Sequence, residues 1–138
     1  MSFFEWTSQL DVHIPAMNEE HRWLIGLMNK LHDQVAAGAA RDAQGHTLEE
    51  LAKATMKHFA DEEIVMARMG YPKLDHHKKL HQQLLTKFGV HVASFKAGGA
   101  LGDPFFHFLK FWLSAHIQGI DMQYGDYAGL NKLTSRSA

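Results

Sequence analysis

The chain contains no cysteine in its 138 residues, which excludes disulfide staples, thiolate nucleophiles and iron–sulfur ligation. Net charge is nearly absent as well. Lysine and arginine number 14 against 15 aspartates and glutamates, so nothing points to a nucleic-acid partner. No long apolar run exists either: the richest stretch, "FFHFLKFWL", is broken by His107 and Lys110, and "MSFFEWTSQL" at the amino terminus has no basic leader. These absences predict no membrane span, no export by such a signal and a cytoplasmic address. The remaining composition, 46% apolar, suits one ordinary globular domain over residues 1–138, and its one anomaly is histidine, present in 11 copies.

Hydrophobic periodicity gives four long amphipathic segments and no strand of comparable quality. The first, about 15–37, opens on Pro15, buries Met17, His21, Leu24, Met28 and Leu31, and ends at Gly38. The second, about 45–69, turns Leu48, Leu51, Thr55, His58, Glu62, Val65 and Met69 inward and stops at "GYP". In the third, about 73–96, Leu74, His77, His81, Leu84, Phe88 and Phe95 share a face, and "GG" at 98 and 99 closes it. The fourth, about 104–127, takes Asp103 as N-cap and Pro104 as first residue, then runs through Phe105, Leu109, Trp112 and His116. Short linkers favour antiparallel neighbours. The expected fold is therefore all-α, an up-down-up-down antiparallel four-helix bundle preceded by an arm over residues 1–14.

Polar residues fall where such a bundle should be dry. In "DHHKKLH", His77 and His81 stand four apart on the inner face, while His76 is turned about 100° away. His58 and Glu62 repeat that spacing. Measured from one end of the bundle, His21, the His58 and Glu62 pair, the His77 and His81 pair, and His116 lie at overlapping depths, within roughly 12 Å at 1.5 Å per residue. Buried imidazoles and a buried carboxylate with no cationic partner are costly unless a metal compensates. His13, His46, His76 and His107 read as surface, His32 as part-buried near the far end, and Trp6, Trp23, Met56 and Met66 as packing. Asp121 follows His116 by five residues, so an ideal α-helix turns it about 140° away. A π-bulge or a loosened turn near Gly119 would bring it back; a regular helix would leave it a solvated aspartate near the helix end.

His21, "HFADEE" at 58 to 63, "HHKKLH" at 76 to 81 and "WLSAHIQGID" at 112 to 121 closely resemble the hemerythrin family, in particular its single-domain bacterial members. The resemblance covers nearly the whole chain. It implies two non-haem iron ions: His77, His81 and His116 on one, His21 and His58 on the other, with Glu62, Asp121 and an oxide or hydroxide bridging them. Two octahedral ions have twelve positions, and this set fills eleven. The open one, on the ion with two histidines, is where the family binds dioxygen. Reversible dioxygen binding, for carriage, storage or delivery, is the leading function. A diiron oxidase, peroxidase or nitric-oxide scavenger, or an oxygen- or redox-sensing module, would use the same residues, and an oxygen-consuming enzyme or a redox protein would be the partner. Leu24, Phe59, Leu113 and Ile117 could form an apolar wall around the oxygen pocket. One stretch departs from the family pattern: ahead of His21 it commonly has an acidic residue three positions back and glutamine immediately before, where this chain has Asn18 and Glu20.

Overall fold

The computed structural model describes the backbone of residues 3–137 and the side chains of residues 3–129. A short 3₁₀ turn, Ser8–Leu10, lies in the arm, and the helices that follow are α1 (Pro15–Ala36), α2 (Arg41–Arg68), α3 (Leu74–Lys96), α4 (Asp103–His116) and α5 (Met122–Ser137). Between α4 and α5 a single π turn, Ile117–Asp121, keeps the chain helical, so the two form one rod. The architecture is a four-helix bundle with no strand among the described residues.

Three glycines end three helices by one device. Gly38, Gly70 and Gly98 have φ of 68°, 66° and 108°, a left-handed region costly for residues with a Cβ. Around each, two backbone N–H groups fold back onto the last turn, as in Gly38 to Val35 (3.1 Å) and Ala39 to Gln34 (2.9 Å), satisfying carbonyls that the helix leaves open.

Helix starts are set by tertiary contact more than by capping side chains. α2 begins at Arg41, several residues before the expected start. The Arg41 guanidinium lies 4.0 Å over the Phe95 ring and donates to the Phe95 and Gly99 carbonyls, which anchors the first turn on the end of α3. Gly45 is interior, and a Cβ there would come within 3.3 Å of Phe95. In α4 the cap is the extended Gly102, not Asp103, because the Gly102 carbonyl accepts from Phe105 and Phe106; Pro104 is thus the second helical residue.

The core runs the length of the bundle, through Met17, Leu24, Met28 and Leu31 on α1, Leu48 and Leu51 on α2, Phe88 and Phe95 on α3, and Leu109 and Leu113 on α4. Met66 is fully buried near the end of α2, whereas Val65 and Met69 are only part-buried. Trp23 and Met56, expected as packing, are 48% and 58% exposed, because each sits on the outer face of its helix.

The arm is tied down through side-chain amides. Asn29 accepts from the Phe4 N–H and donates to the Phe4 carbonyl, both at 2.8 Å, and Asn18 accepts from the Val12 N–H (3.0 Å) while donating to Asp11 (2.7 Å). Asn18 thus serves the arm. Val12 then presses on α5 where Gly125 leaves room: a Cβ on Gly125 would lie 2.3 Å from the Val12 carbonyl oxygen, backbone against side chain. Gly125→Ala should cost about 1–3 kcal/mol by overpacking. Gly89→Ala, in open space on α3, should instead stabilise by about 0.5–1 kcal/mol. Urea unfolding of the two variants checks the opposite signs.

Candidate metal centre

Each helix contributes donors to one buried place. α1 supplies His21, α2 His58 and Glu62, α3 His77 and His81, α4 His116, and the π turn Asp121. Of these His116 is the most exposed, at 6%, and the rest are at 0 or 1%. They fall into two overlapping groups whose ligand atoms lie within 4.8 Å of one another: Glu62, His77, His81, His116 and Asp121 in one, His21, His58, Glu62 and Asp121 in the other. Both carboxylates belong to both groups.

The π turn is what admits Asp121. The Met122 N–H reaches the Ile117 carbonyl five residues back, so the extra residue is absorbed and positions 116 and 121 face the same way. Asp121 Oδ1 then lies 3.1 Å from Nε2 of both His77 and His116, and Asp121 Oδ2 3.3 Å from Nε2 of His21. Glu62 Oε1 stands 3.1 Å from His81 Nε2 and 3.4 Å from His58 Nε2.

Two further carboxylates settle imidazole tautomers. His58 Nδ1 lies 2.8 Å from Glu20 Oε1, and His81 Nδ1 2.9 Å from Glu63 Oε2. An ionised carboxylate only accepts, so each Nδ1 carries a hydrogen and each Nε2 is the nitrogen left facing the buried carboxylates. Tyr124, fully buried one turn beyond Asp121, donates its hydroxyl to Glu62 Oε2 at 2.7 Å. Phe59 stacks on His81 with ring centroids 3.8 Å apart and planes 5° from parallel.

The two buried carboxylates dominate the electrostatics of the cluster. Burial and the Asp121 charge both push the Glu62 carboxyl up, yet His58, His21 and His81 together hold it down at about 2. Asp121 is likewise held well below its usual range, because His116, His21 and His77 outweigh the burial that raises it. Burial lowers His21, but its contacts with Asp121 and Glu62 prevail and carry it up to about 9. The arrangement demands positive charge between the carboxylates. Neither Asp121 oxygen nor either His21 ring nitrogen has a hydrogen-bond partner despite complete burial, and the Nε2 atoms of His77 and His116 face each other at 3.1 Å. Around Asp121 and His21, nitrogen and oxygen donors converge without the alignment of hydrogen bonds, which suits a metal better than a polar core.

All seven expected donors are thus brought together, and Leu24, Phe59, Leu113 and Ile117 are all buried around them at 0–2% exposure. His13, His46, His76 and His107 are exposed and His32 is part-buried, as expected. Sequence reasoning missed Glu63 and Tyr124. Their only signal was position: Glu63 is turned about 100° from Glu62 toward α3, and Tyr124 stands one turn after Asp121.

The family model for the hemerythrin HHE cation binding domain matches residues 12–128. The chain belongs to the hemerythrin family. It is 32% identical over 126 residues to a bacteriohemerythrin of Stenotrophomonas maltophilia, covering 91% of this chain and 82% of that protein. A myohemerythrin of Riftia pachyptila is 33% identical over 121 residues, covering 88% and 90% of the respective chains. A crystal structure of wild-type hemerythrin superposes with a TM-score of 0.83 at 29% identity, over 89% of this chain and 95% of that one. The hemerythrin bundle accounts for the shared frame, within which Glu20, immediately ahead of His21, accepts a hydrogen bond from His58.

Two outcomes are expected. Metal coordination needs a neutral imidazole, and the metal-free protein holds a proton on His21 up to about pH 9, so metal uptake at pH 7 should release it and affinity should climb as pH rises toward 9. Calorimetric titration in buffers of different ionisation enthalpy measures that proton. Glu20→Ala should weaken metal binding roughly 10- to 100-fold, whereas Glu20→Gln, which keeps an acceptor for His58, should lose far less; a competing chelator reports both.

Proposed function

We propose that the chain binds dioxygen reversibly at a carboxylate-bridged pair of non-haem iron ions. His77, His81 and His116 would hold one ion, His21 and His58 the other, with Glu62, Asp121 and an oxide or hydroxide shared between them. The observation that carries this reading is the sharing of both carboxylates by the two donor groups, since one ion cannot use seven convergent donors. When bound, the iron pair supplies two electrons to dioxygen and recovers them on release.

The chain's own residues govern whether that exchange stays reversible. Glu20 and Glu63 lock the His58 and His81 rings, so the donors need not reorganise as charge changes. Burial, reinforced by the charge of Glu62, pushes the Tyr124 hydroxyl far above its ordinary range, so it stays a donor to Glu62. Leu24 lies one turn beyond His21, and Leu113 one turn before His116, both without solvent contact. Such a wall hinders water and protons from reaching the open position, which favours return of the electrons over loss of a reduced product. No helix among the described residues is long and apolar enough to cross a membrane.

Iron-reconstituted protein should contain about two irons per chain, and a visible band should form under oxygen and vanish under argon over repeated cycles. One tightly held zinc with no iron uptake would exclude the diiron reading, and oxygen consumption with permanent conversion to the diferric state would make the chain an oxidase. Glu62→Gln should lose far more iron than His76→Ala. Leu113→Asn should speed decay of the oxygen-dependent band, while the similarly buried Leu48→Asn should not, with iron content and melting temperature followed in both.

A further inference from the structure

Two surface grooves flank Ile120, and each has one of the donor imidazoles in its wall. The more apolar one, of about 360 Å³ between α3 and α4, is lined by Leu80, Leu84, Phe108, Phe111 and Ile120, with His116 among the lining residues. The other, of about 390 Å³, is lined by Tyr71, Lys73, His76, Gln123 and His77. His77 and His116 belong to the same donor group, the one with three histidines. None of His21, His58, Glu62 and Asp121 lines either groove.

The rim is of one sign. Lys73 and Lys87 line the grooves and no carboxylate does. Residues 73–120, which form this side, carry six lysines against two aspartates, whereas residues 15–68 carry nine acidic residues against six basic ones. Phe111, in the lining of the apolar groove, is 71% exposed. An exposed aromatic over an apolar groove whose lining carries lysine and no carboxylate is the make-up of a surface that is steered by charge and seated by an anchor.

Resting on the diiron reading above, we propose that the α3–α4 face is the docking surface for an acidic electron-carrier protein with a solvent-exposed flavin, which re-reduces the centre through the edge of His116. Each encounter moves one electron from the anionic flavin hydroquinone, which becomes the neutral semiquinone and releases no proton, to one ferric ion, which becomes ferrous. Two encounters restore the diferrous pair, and the proton that turns the bridging oxide to hydroxide comes from solvent. An electron needs an imidazole edge and no space, so it enters at the three-histidine side. Dioxygen needs space, and the apolar wall on the other side is left intact. Such redox encounters use small, weak interfaces, in keeping with grooves of this size.

The test mixes iron-loaded, oxidised protein anaerobically with reduced flavodoxin, an acidic flavin protein, in a stopped-flow instrument, and measures binding of oxidised flavodoxin by calorimetry. Lys73→Glu combined with Lys87→Glu should slow reduction tenfold or more and weaken binding, and Phe111→Ser should do so without changing net charge. Lys30→Glu combined with Lys53→Glu makes the same charge change on the opposite side and should leave both within about twofold. Iron content and the visible spectrum, measured on each variant, confirm that the centre is intact. Equal slowing by both lysine pairs, or by neither, overturns the proposal; so does a concentration-dependent dimer that Phe111→Ser disperses, which assigns the face to a second copy. Failure of the parent protein to take up iron defeats the diiron reading instead, and flavodoxin binding to the metal-free protein still reports whether this face docks it.

Discussion

Two carboxylates, Glu62 and Asp121, are held side by side without solvent contact, and the remainder of the structure is organised around that repulsion. Desolvation alone would return both to their protonated forms at the cost of several kcal/mol per charge if they stayed ionised. Five imidazoles surround them instead. Because α1, α2, α3 and α4 each supply at least one of those imidazoles, no helix can shift without exposing a negative charge to its twin. Protons carry the compensating charge in the metal-free protein, and metal ions would replace them in the proposed centre. Folding and ligation thus draw on the same electrostatic requirement.

The constraint reaches the backbone through Asp121. A regular helix would point residue 121 away from residue 116, so the fourth rod carries its extra residue at Ile117–Asp121. Everything after the turn inherits the altered phase. Tyr124 enters the interior and takes the second oxygen of Glu62, while Gly125 meets the arm at Val12. The arm in turn is held by Asn18, three residues before His21. One loop of contacts therefore links His21, Asn18, Val12, Gly125, Tyr124 and Glu62, and closes at the centre where His21 and Glu62 stand 3.7 Å apart.

The bundle and its inward histidines were legible because both rest on period. Spacing of four residues puts His77 over His81 and His58 over Glu62 whatever the neighbouring helices do. What rested on contact between helices was not legible. Glu20 stood out only as a departure from the family pattern ahead of His21, yet it spans to His58 on α2; Glu63, next to the inward Glu62, carried no periodic signal, yet it reaches His81 on α3. The start of α2 was hidden for the same reason, since Arg41 is held by carbonyls of a segment more than fifty residues away. Trp23 and Met56 show the converse error: large apolar side chains suggest burial, but their helical phase puts them outside.

The hydrogen-bond partners of the imidazoles are distributed unequally, and that inequality matters chemically. His58 and His81, on facing helices, each have a carboxylate on Nδ1, whereas the Nδ1 atoms of His21 and His77 have no partner among the described residues. A carboxylate on the far nitrogen makes an imidazole a stronger electron donor and fixes its ring. In the proposed assignment each ion then receives one strengthened histidine, so the two sites are electronically balanced in spite of their different coordination numbers. The asymmetry that remains is access. The three-histidine side has His77 and His116 in the walls of basic surface grooves, and the two-histidine side is bounded by Leu24 with no solvent contact. Balanced ions with unequal surroundings can accept charge from one direction and a small apolar gas from another, a separation that a symmetric pair of exposed sites would lack.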